Sequence, residues 1–280
     1  MQARASDSYV ETNGARLRYR DEGEGTALLL VHGWTLDLDQ WEPQAVELAG
    51  EFRVVRLDRR GFGLSSGRPS ITGDGADLAA LCEHLRLESV ALVGMSQGTR
   101  AVLQFAASYP GLTSCVILDG PPHLGAPDAT DSSPDLPYEY YCELARTRGL
   151  PAFRREWSEH ALARLRTSDP ETQARLARMI ARYPGWDLID TAAKANANAA
   201  RPDRGFASVD RPVLVMNGEF DLESRRRSAK HIAAQLPRAE RVEIPQAGHL
   251  CNLDNPRAYN EALRRFLQRH TIPSIPRSVP

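Results

Sequence analysis

No apolar run in this 280-residue chain approaches the length of a membrane span, which excludes a helical membrane protein on that ground. Residues Met1 to Val10 are polar and lack the apolar core of a signal peptide. Charge of one sign is missing too. Thirty-five Lys and Arg face thirty-six Asp and Glu, a net of −1, so no electrostatic feature points to nucleic acid or an anionic membrane. Cysteines are few, and Cys82, Cys115, Cys142 and Cys251 are scattered without C-x-x-C spacing. They read as buried free thiols and not as disulfides or zinc ligands, with a reducing, cytoplasmic setting as the default. No H-E-x-x-H or paired His and Cys spacing occurs, and no G-x-G-x-x-G leads from a strand into a helix. Neither a metal nor a cofactor is expected.

What the chain does have is Gly94-Met95-Ser96-Gln97-Gly98. The apolar run from Ser89 to Val93 before it reads as a buried strand. Ala101, Val102, Phe105, Ala106 and Tyr109 after it fall at helical spacing, until Pro110-Gly111 ends the run. Strand, sharp turn and helix together lift a serine above a sheet, beside the N–H groups of a helix N-terminus. The G-x-S-x-G pattern recurs at Gly63-Leu64-Ser65-Ser66-Gly67, but that copy follows a loop and meets Arg68-Pro69 where a helix would have to run. Ser65 and Ser66 therefore read as serines of a surface loop.

Around this stretch strands and helices alternate. Asn13-Gly14 joins two hairpin strands, Tyr9 to Thr12 and Leu17 to Arg20. Further strands are expected at Ala27–Val31, Arg53–Leu57, Ser114–Leu118, Val213–Met216 and Val242–Ile244. Core helices are expected after Trp41, at Ala76–Leu87 and Ala229–Leu236, and after Asn255-Pro256. Between Pro121 and Phe206 the strand pattern vanishes. Helices are expected there at Tyr138–Arg148, Ala152–Arg166, Glu171–Arg182 and Trp186–Ala199, the third started by Asp169-Pro170. Gly125 to Pro137 reads as a mobile loop, and residues 271–280 as a disordered tail. The expected organisation is an α/β core from residues 1–120 and 207–270, with residues 121–206 inserted as a helical cap. Arg225-Arg226-Arg227 reads as a solvated helix start.

A serine hydroxyl needs a base within reach, and the base needs an orienting acid. Open α/β sheets present such groups at the carboxyl ends of their strands. Of the seven histidines, His249 follows the last strand after a glycine and is the expected base. Asp221, four residues past Asn217, is the expected acid. Asp119 competes, because it ends the strand after the serine's helix, although it also reads as a turn aspartate before Gly120-Pro121. Oxyanion donors are expected to be the backbone N–H groups of Gln97 and of Trp34, the latter also readable as a plain core aromatic.

With His32-Gly33-Trp34, Asp58-Arg59-Arg60-Gly61-Phe62-Gly63-Leu64-Ser65, the turn at Ser96, Gly218-Glu219-Phe220-Asp221 and Ala247-Gly248-His249-Leu250, the chain resembles the α/β-hydrolase superfamily in its capped, esterase-like branch. The resemblance runs from about Val10 to Leu267. It implies a mostly parallel, eight-stranded sheet with helices on both faces, a lid after the strand at Ser114, and the triad Ser96, Asp221 and His249. Many members carry a second glycine after the turn where this chain has Thr99, a change expected to tighten helix–strand packing without removing activity. Ser96 in place of aspartate argues against haloalkane dehalogenases and soluble epoxide hydrolases. Carboxylesterases, enol-lactonases, carbon–carbon bond hydrolases and cofactor-free haloperoxidases remain. The His-Gly-Trp start is also similar to cofactor-independent ring-cleaving dioxygenases, in which Asp119 would partner His249, and some relatives are small-ligand receptors. The expected reaction is hydrolysis of a small to medium, uncharged ester or lactone, with some of Tyr140, Tyr141, Trp157, Met179 and Trp186 walling the pocket.

Overall fold

The structure, a computed structural model, describes residues 6–12, 14–122, 135–190 and 209–271. A hairpin opens it: β1 (Ser8–Thr12) pairs antiparallel with β2 (Ala15–Glu22), and Gly14 takes the positive φ of 78° that the turn requires. β3 (Ala27–Val31) leads through one 3₁₀ turn at Leu38–Trp41 into α1 (Glu42–Leu48). Then come β4 (Arg53–Leu57), α2 (Asp74–His84), β5 (Val90–Met95), α3 (Gly98–Ser108) and β6 (Thr113–Asp119). After the insertion, β7 (Val213–Gly218) and β8 (Ala239–Ile244) complete one eight-stranded sheet in the order β1-β2-β4-β3-β5-β6-β7-β8. From β4 to β8 every neighbouring pair is parallel.

Alternate residues of the central strands feed two cores. Leu28, Leu30, Val54 and Val93 face one side; Leu29, Val31, Val55 and Leu92 face the other. The register aligns Val31 with Leu57 and Gly94, Met95 with Asp119, and Gly218 with Ile244. All the loops that carry candidate site residues therefore leave one edge of the sheet.

Between β6 and β7 the described chain is helical: α4 (Tyr138–Ser158), α5 (Pro170–Arg182) and α6 (Trp186–Ile189). Gly149, at φ 78° and ψ 164°, breaks α4 close to where two separate helices were expected. The second half stops at Ser158 and not at Arg166. At its end the Glu159 and His160 N–H groups close onto the Glu156 and Trp157 carbonyls in tighter turns, and further on Asp254 accepts the N–H groups of Arg166 and Thr167 at 2.6 and 3.0 Å. In α5, Asp169 caps the Thr172 N–H at 2.8 Å, as its sequence position suggests. α2 ends three residues before the expected Leu87. Arg86 turns left-handed (φ 52°) there, and the Leu87 N–H closes onto the Cys82 carbonyl at 2.9 Å.

The core resumes with α7 (Glu223–Gln235), which starts earlier than expected, the short α8 (Cys251–Asp254) and α9 (Pro256–His270). All four cysteines are buried and none forms a disulfide. Among the described residues, no helix is long and apolar enough to cross a membrane. Residues 125–134, 191–199 and 272–280, where a mobile loop, the rest of a helix and a disordered tail were expected, lie outside the described residues, as does the core boundary at 206/207.

Candidate active site

Ser96 sits between β5 and α3 with φ +49°, a left-handed conformation that costs a non-glycine residue roughly 1–2 kcal/mol. Its backbone is clamped on both sides. The Ser96 N–H donates to the Asp119 carbonyl at 2.7 Å, and its own carbonyl accepts the Thr99 N–H at 3.0 Å and the Thr99 hydroxyl at 2.6 Å. Thr99 is buried and adds a bond to the turn. The flanking glycines are contact glycines. A Cβ on Gly94 would lie 2.6 Å from the Gly98 carbonyl oxygen, and one on Gly98 would lie 2.5 Å from that of Val31.

His249 is brought in by the loop after β8. The Glu219 N–H donates to Ile244 and the Phe220 N–H to Ala247, which zips this loop to the one after β7. A Cβ on Gly218 would fall 2.1 Å from the Gly248 carbonyl oxygen, so only glycine permits that approach. Asp221, its side chain fully buried, receives His249 Nδ1 at 3.0 and 3.1 Å, while its Oδ1 also accepts the Leu222 N–H at 2.8 Å. A carboxylate can only accept, so Nδ1 carries the proton and Nε2 is the basic nitrogen.

Asp119 is brought elsewhere. Its Oδ1 accepts the Cys251 thiol at 3.1 Å, and among the described residues its Oδ2 has no hydrogen-bond partner. Complete burial pushes its carboxyl up to about 7, and the Asp221 charge adds to the shift. Asp221, not Asp119, is hydrogen-bonded to His249.

The loop after β3 is held by its own histidine. The Arg59 N–H donates to His32 Nε2 at 2.9 Å, so Nδ1 bears the proton and donates to the Gly33 carbonyl at 2.7 Å. Burial and the Arg59 charge push His32 down to about 3, which keeps it neutral. The Trp34 indole packs among Tyr138, Phe153, Trp157 and Tyr183 and donates to the buried Asp187 at 2.6 Å. Next to it Thr35 is left-handed (φ 64°), and its hydroxyl accepts the Trp157 indole N–H at 2.7 Å. The Trp34 ring is therefore core, and the residue also lines the cavity at Ser96. Among the described residues, neither the Trp34 nor the Gln97 backbone N–H donates to another backbone carbonyl.

That cavity measures about 220 Å³ and is lined by Trp34, Ser96, Gln97 and His249, with Tyr138, Trp157 and Leu162 from the insertion. Of the five insertion side chains expected to wall it, Trp157 alone does. Tyr140 and Trp186 are exposed, and Tyr141 and Met179 pack into the apolar core. The two charged residues that line the cavity, Arg100 and Arg225, were not expected there from the sequence. Arg100 lies in the first turn of α3, four residues after Ser96. Arg225 is only 8% exposed, so its part of the expected solvated arginine run is corrected: the loop after β7 turns this side chain inward. Ser65, expected on a surface loop, is buried by its hydrogen bonds to Arg18 and Asp58. Among the described residues, no group of three or more His, Cys, Asp or Glu side chains is placed to hold a metal ion.

A hydroxyl on a strained turn, an imidazole oriented by a buried carboxylate, and uncommitted N–H groups around one cavity are the parts that acyl transfer uses. Known proteins are similar to this chain in sequence and shape. A thermophilic esterase from Thermogutta terrifontis, solved with malate bound, superposes with a TM-score of 0.80 at 30% identity, covering 95% of this chain and 100% of that one. The enol-lactonase from Burkholderia xenovorans LB400 gives 0.79 at 25% identity, covering 93% and 100%. A putative non-heme chloroperoxidase from Synechocystis is 28% identical over 273 residues, 89% of this chain and 94% of the relative. The family model described as alpha/beta hydrolase fold matches residues 26–256, and the chain belongs to that family.

Proposed function

We propose that this protein is a serine hydrolase that cleaves a small to medium carboxylic ester or lactone through an acyl-enzyme on Ser96. The observation that carries the reading is the His249–Asp221 pair at 3.0 Å beside the cavity that Ser96 lines from its strained turn. Nε2 of His249 takes the Ser96 proton as Oγ adds to the carbonyl carbon, and the N–H groups of Gln97 and Trp34 receive the developing oxyanion. The imidazolium formed is stabilised by Asp221 and returns the proton to the departing alkoxide. Water, activated by the same imidazole, then splits the acyl-enzyme into acid and free serine.

In this proposal residues 121–206 act as a cap, since Tyr138, Trp157 and Leu162 close one side of the cavity. A reducing, cytoplasmic setting belongs to the same reading, supported by four buried thiols outside any disulfide. A serine-directed phosphonate followed by peptide mass mapping tests it. Ser96 alone is expected to carry the label. Label on Ser65, or turnover of esters by a protein that takes no label, overturns the assignment.

A further inference from the structure

The cavity beside Ser96 is walled by Trp34, Leu36, Ile71, Met95 and Trp157, yet it also holds two guanidinium groups and, among its described lining residues, no carboxylate. Arg100 rises from α3 one turn beyond Ser96. Arg225 comes from the first turn of α7, four residues past Asp221. Desolvating a guanidinium costs several kcal/mol unless a partner compensates it. For Arg225 the internal compensation is thin. Its Nε has no hydrogen-bond partner among the described residues, and Asp135 stands 3.9 Å away, its Oδ2 also accepting the Ser224 hydroxyl. Asp221, the other nearby carboxylate, is taken by His249 and the Leu222 N–H. Burial lowers the pKa of both arginines, and the charges of Arg225 and Arg59 lower that of Arg100 further. An anion entering the cavity would relieve both.

We infer that Arg100 and Arg225 form a carboxylate-binding subsite, and that the substrate is a half-ester of a short dicarboxylic acid or a carboxylate-bearing lactone. The inference deepens the ester-hydrolase reading and rests on it, replacing the uncharged ester expected from sequence. Guanidinium suits the task because its planar fork matches a carboxylate. Ser96, Arg100 and Arg225 line one cavity of about 220 Å³, a space that fits a short spacer between the scissile carbonyl and the remote carboxylate. Half-ester and water then give dicarboxylate and alcohol, the acyl C–O bond breaking and the serine proton leaving with the alkoxide.

The test compares kcat/KM for p-nitrophenyl hemiglutarate and p-nitrophenyl butyrate in wild type, Arg100→Gln, Arg225→Gln and Arg225→Lys. Wild type is expected to prefer the hemiglutarate by at least about tenfold, the ratio collapsing toward one in both glutamine variants. Arg225→Lys, which keeps the charge but not the fork, should retain part of the preference. If wild type hydrolyses the butyrate at least as well, with a ratio that Arg225→Gln does not move, the subsite is overturned while the hydrolase reading stands. If it hydrolyses neither ester, the hydrolase reading falls and calorimetric titration decides the subsite: glutarate must bind at least about tenfold tighter than dimethyl glutarate, and lose that margin in Arg225→Gln. Equal or absent binding overturns it. Should Arg225→Gln fail to fold, as thermal melting would show, Arg225→Lys and Arg100→Gln carry both comparisons.

Discussion

Two copies of one five-letter pattern lie on this chain, and the molecule uses them in opposite ways. At Ser65 the side chain is clamped. Its hydroxyl accepts the Arg18 N–H at 2.8 Å and donates to the Asp58 carbonyl at 2.7 Å, tying the loop after β4 to β2. Ser66 does the same for the Arg16 N–H at 2.8 Å. At Ser96 the backbone is clamped instead, while the residue lines a cavity. The glycines differ in kind as well. Gly63 and Gly67 take φ of 54° and 88°, and a Cβ on Gly63 would meet the Asp58 carboxylate at 2.2 Å, whereas at Gly94 and Gly98 it is other backbone that passes within 2.6 Å of where a Cβ would sit. A hydroxyl whose donor and acceptor sites are already used is a structural bolt. One freed by bonds to its own backbone is open to chemistry.

The largest test of that contrast is substitution of the serines themselves. Under the proposed function Ser96→Ala lowers kcat on an aryl ester by roughly four to six decades. Ser65→Ala leaves kcat within about threefold but strands the Arg18 N–H, lowering stability by about 1–3 kcal/mol in urea unfolding. Equal effects on kcat would erase the distinction between the copies.

Second in size is the acid. Asp221→Asn should cost about 10⁴ in kcat, because an amide imposes the wrong tautomer on His249. Asp119→Asn should stay within about tenfold, because an amide imitates the protonated carboxyl. The pH dependence follows from sign. A folded pKa of about 7, raised above the ordinary carboxylate range by burial, contributes stability fully present below the unfolded value and lost as pH rises through the folded one. Between about pH 5 and about pH 8 the urea midpoint of wild type should therefore fall relative to that of Asp119→Asn. The buried Asp58 is raised with the same sign and is present in both proteins, so the difference isolates Asp119. An inactive Asp119→Asn beside an active Asp221→Asn would invert the assignment and direct attention to oxygen consumption with hydroxylated heteroaromatics.

Third come the glycines. Gly98→Ala must push its Cβ into the Val31 and His32 carbonyls, at 2.5 and 2.6 Å, and should cost more than about 3 kcal/mol. Gly67→Ala meets the Ala15 Cβ at 2.8 Å and a positive φ, a strain nearer 1–2 kcal/mol. Chemical denaturation of the two variants ranks them.

The strands and the turn at Ser96 were legible in the sequence for a physical reason. A parallel strand buried on both faces must be a continuous apolar run, as Ala27–Val31 is, and a strand-to-helix reversal needs its contact glycines. Asp221 and His249 were legible because topology delivers strand ends to one edge. Arg225 was not. Inside a run of three arginines it carries no mark of its own, and its burial depends on how the loop after β7 is tied to the one after β8. The path of the chain after α4 was hidden likewise, since Asp254, which holds the Arg166 N–H, lies 88 residues from it. Nor does helical periodicity say which apolar stripe of the insertion faces the cavity. Trp157 turns toward it and Met179 into the core.

The smallest expected effect probes a different clamp, made by the insertion and not by the core. Asp187 on α6 accepts the Trp34 indole N–H on one oxygen and the Tyr183 hydroxyl on the other, while its backbone carbonyl accepts the Tyr138 hydroxyl at 2.6 Å. Asn at this position offers one acceptor and one N–H₂ group: with its oxygen on the Trp34 indole, its amide can only donate to the Tyr183 oxygen, and the buried Tyr183 O–H loses its acceptor. Asp187→Asn should therefore lower stability by about 1–3 kcal/mol. Asp187 does not itself line the cavity, but Trp34 does, and its backbone N–H is the proposed second oxyanion donor. Loosening that donor weakens the transition state more than the bound ester. The expected result is kcat roughly three- to tenfold lower with KM within about twofold. A fall in stability with kcat unchanged would mean that the insertion braces Trp34 for folding alone. A rise in KM at constant kcat would move its role to holding the substrate.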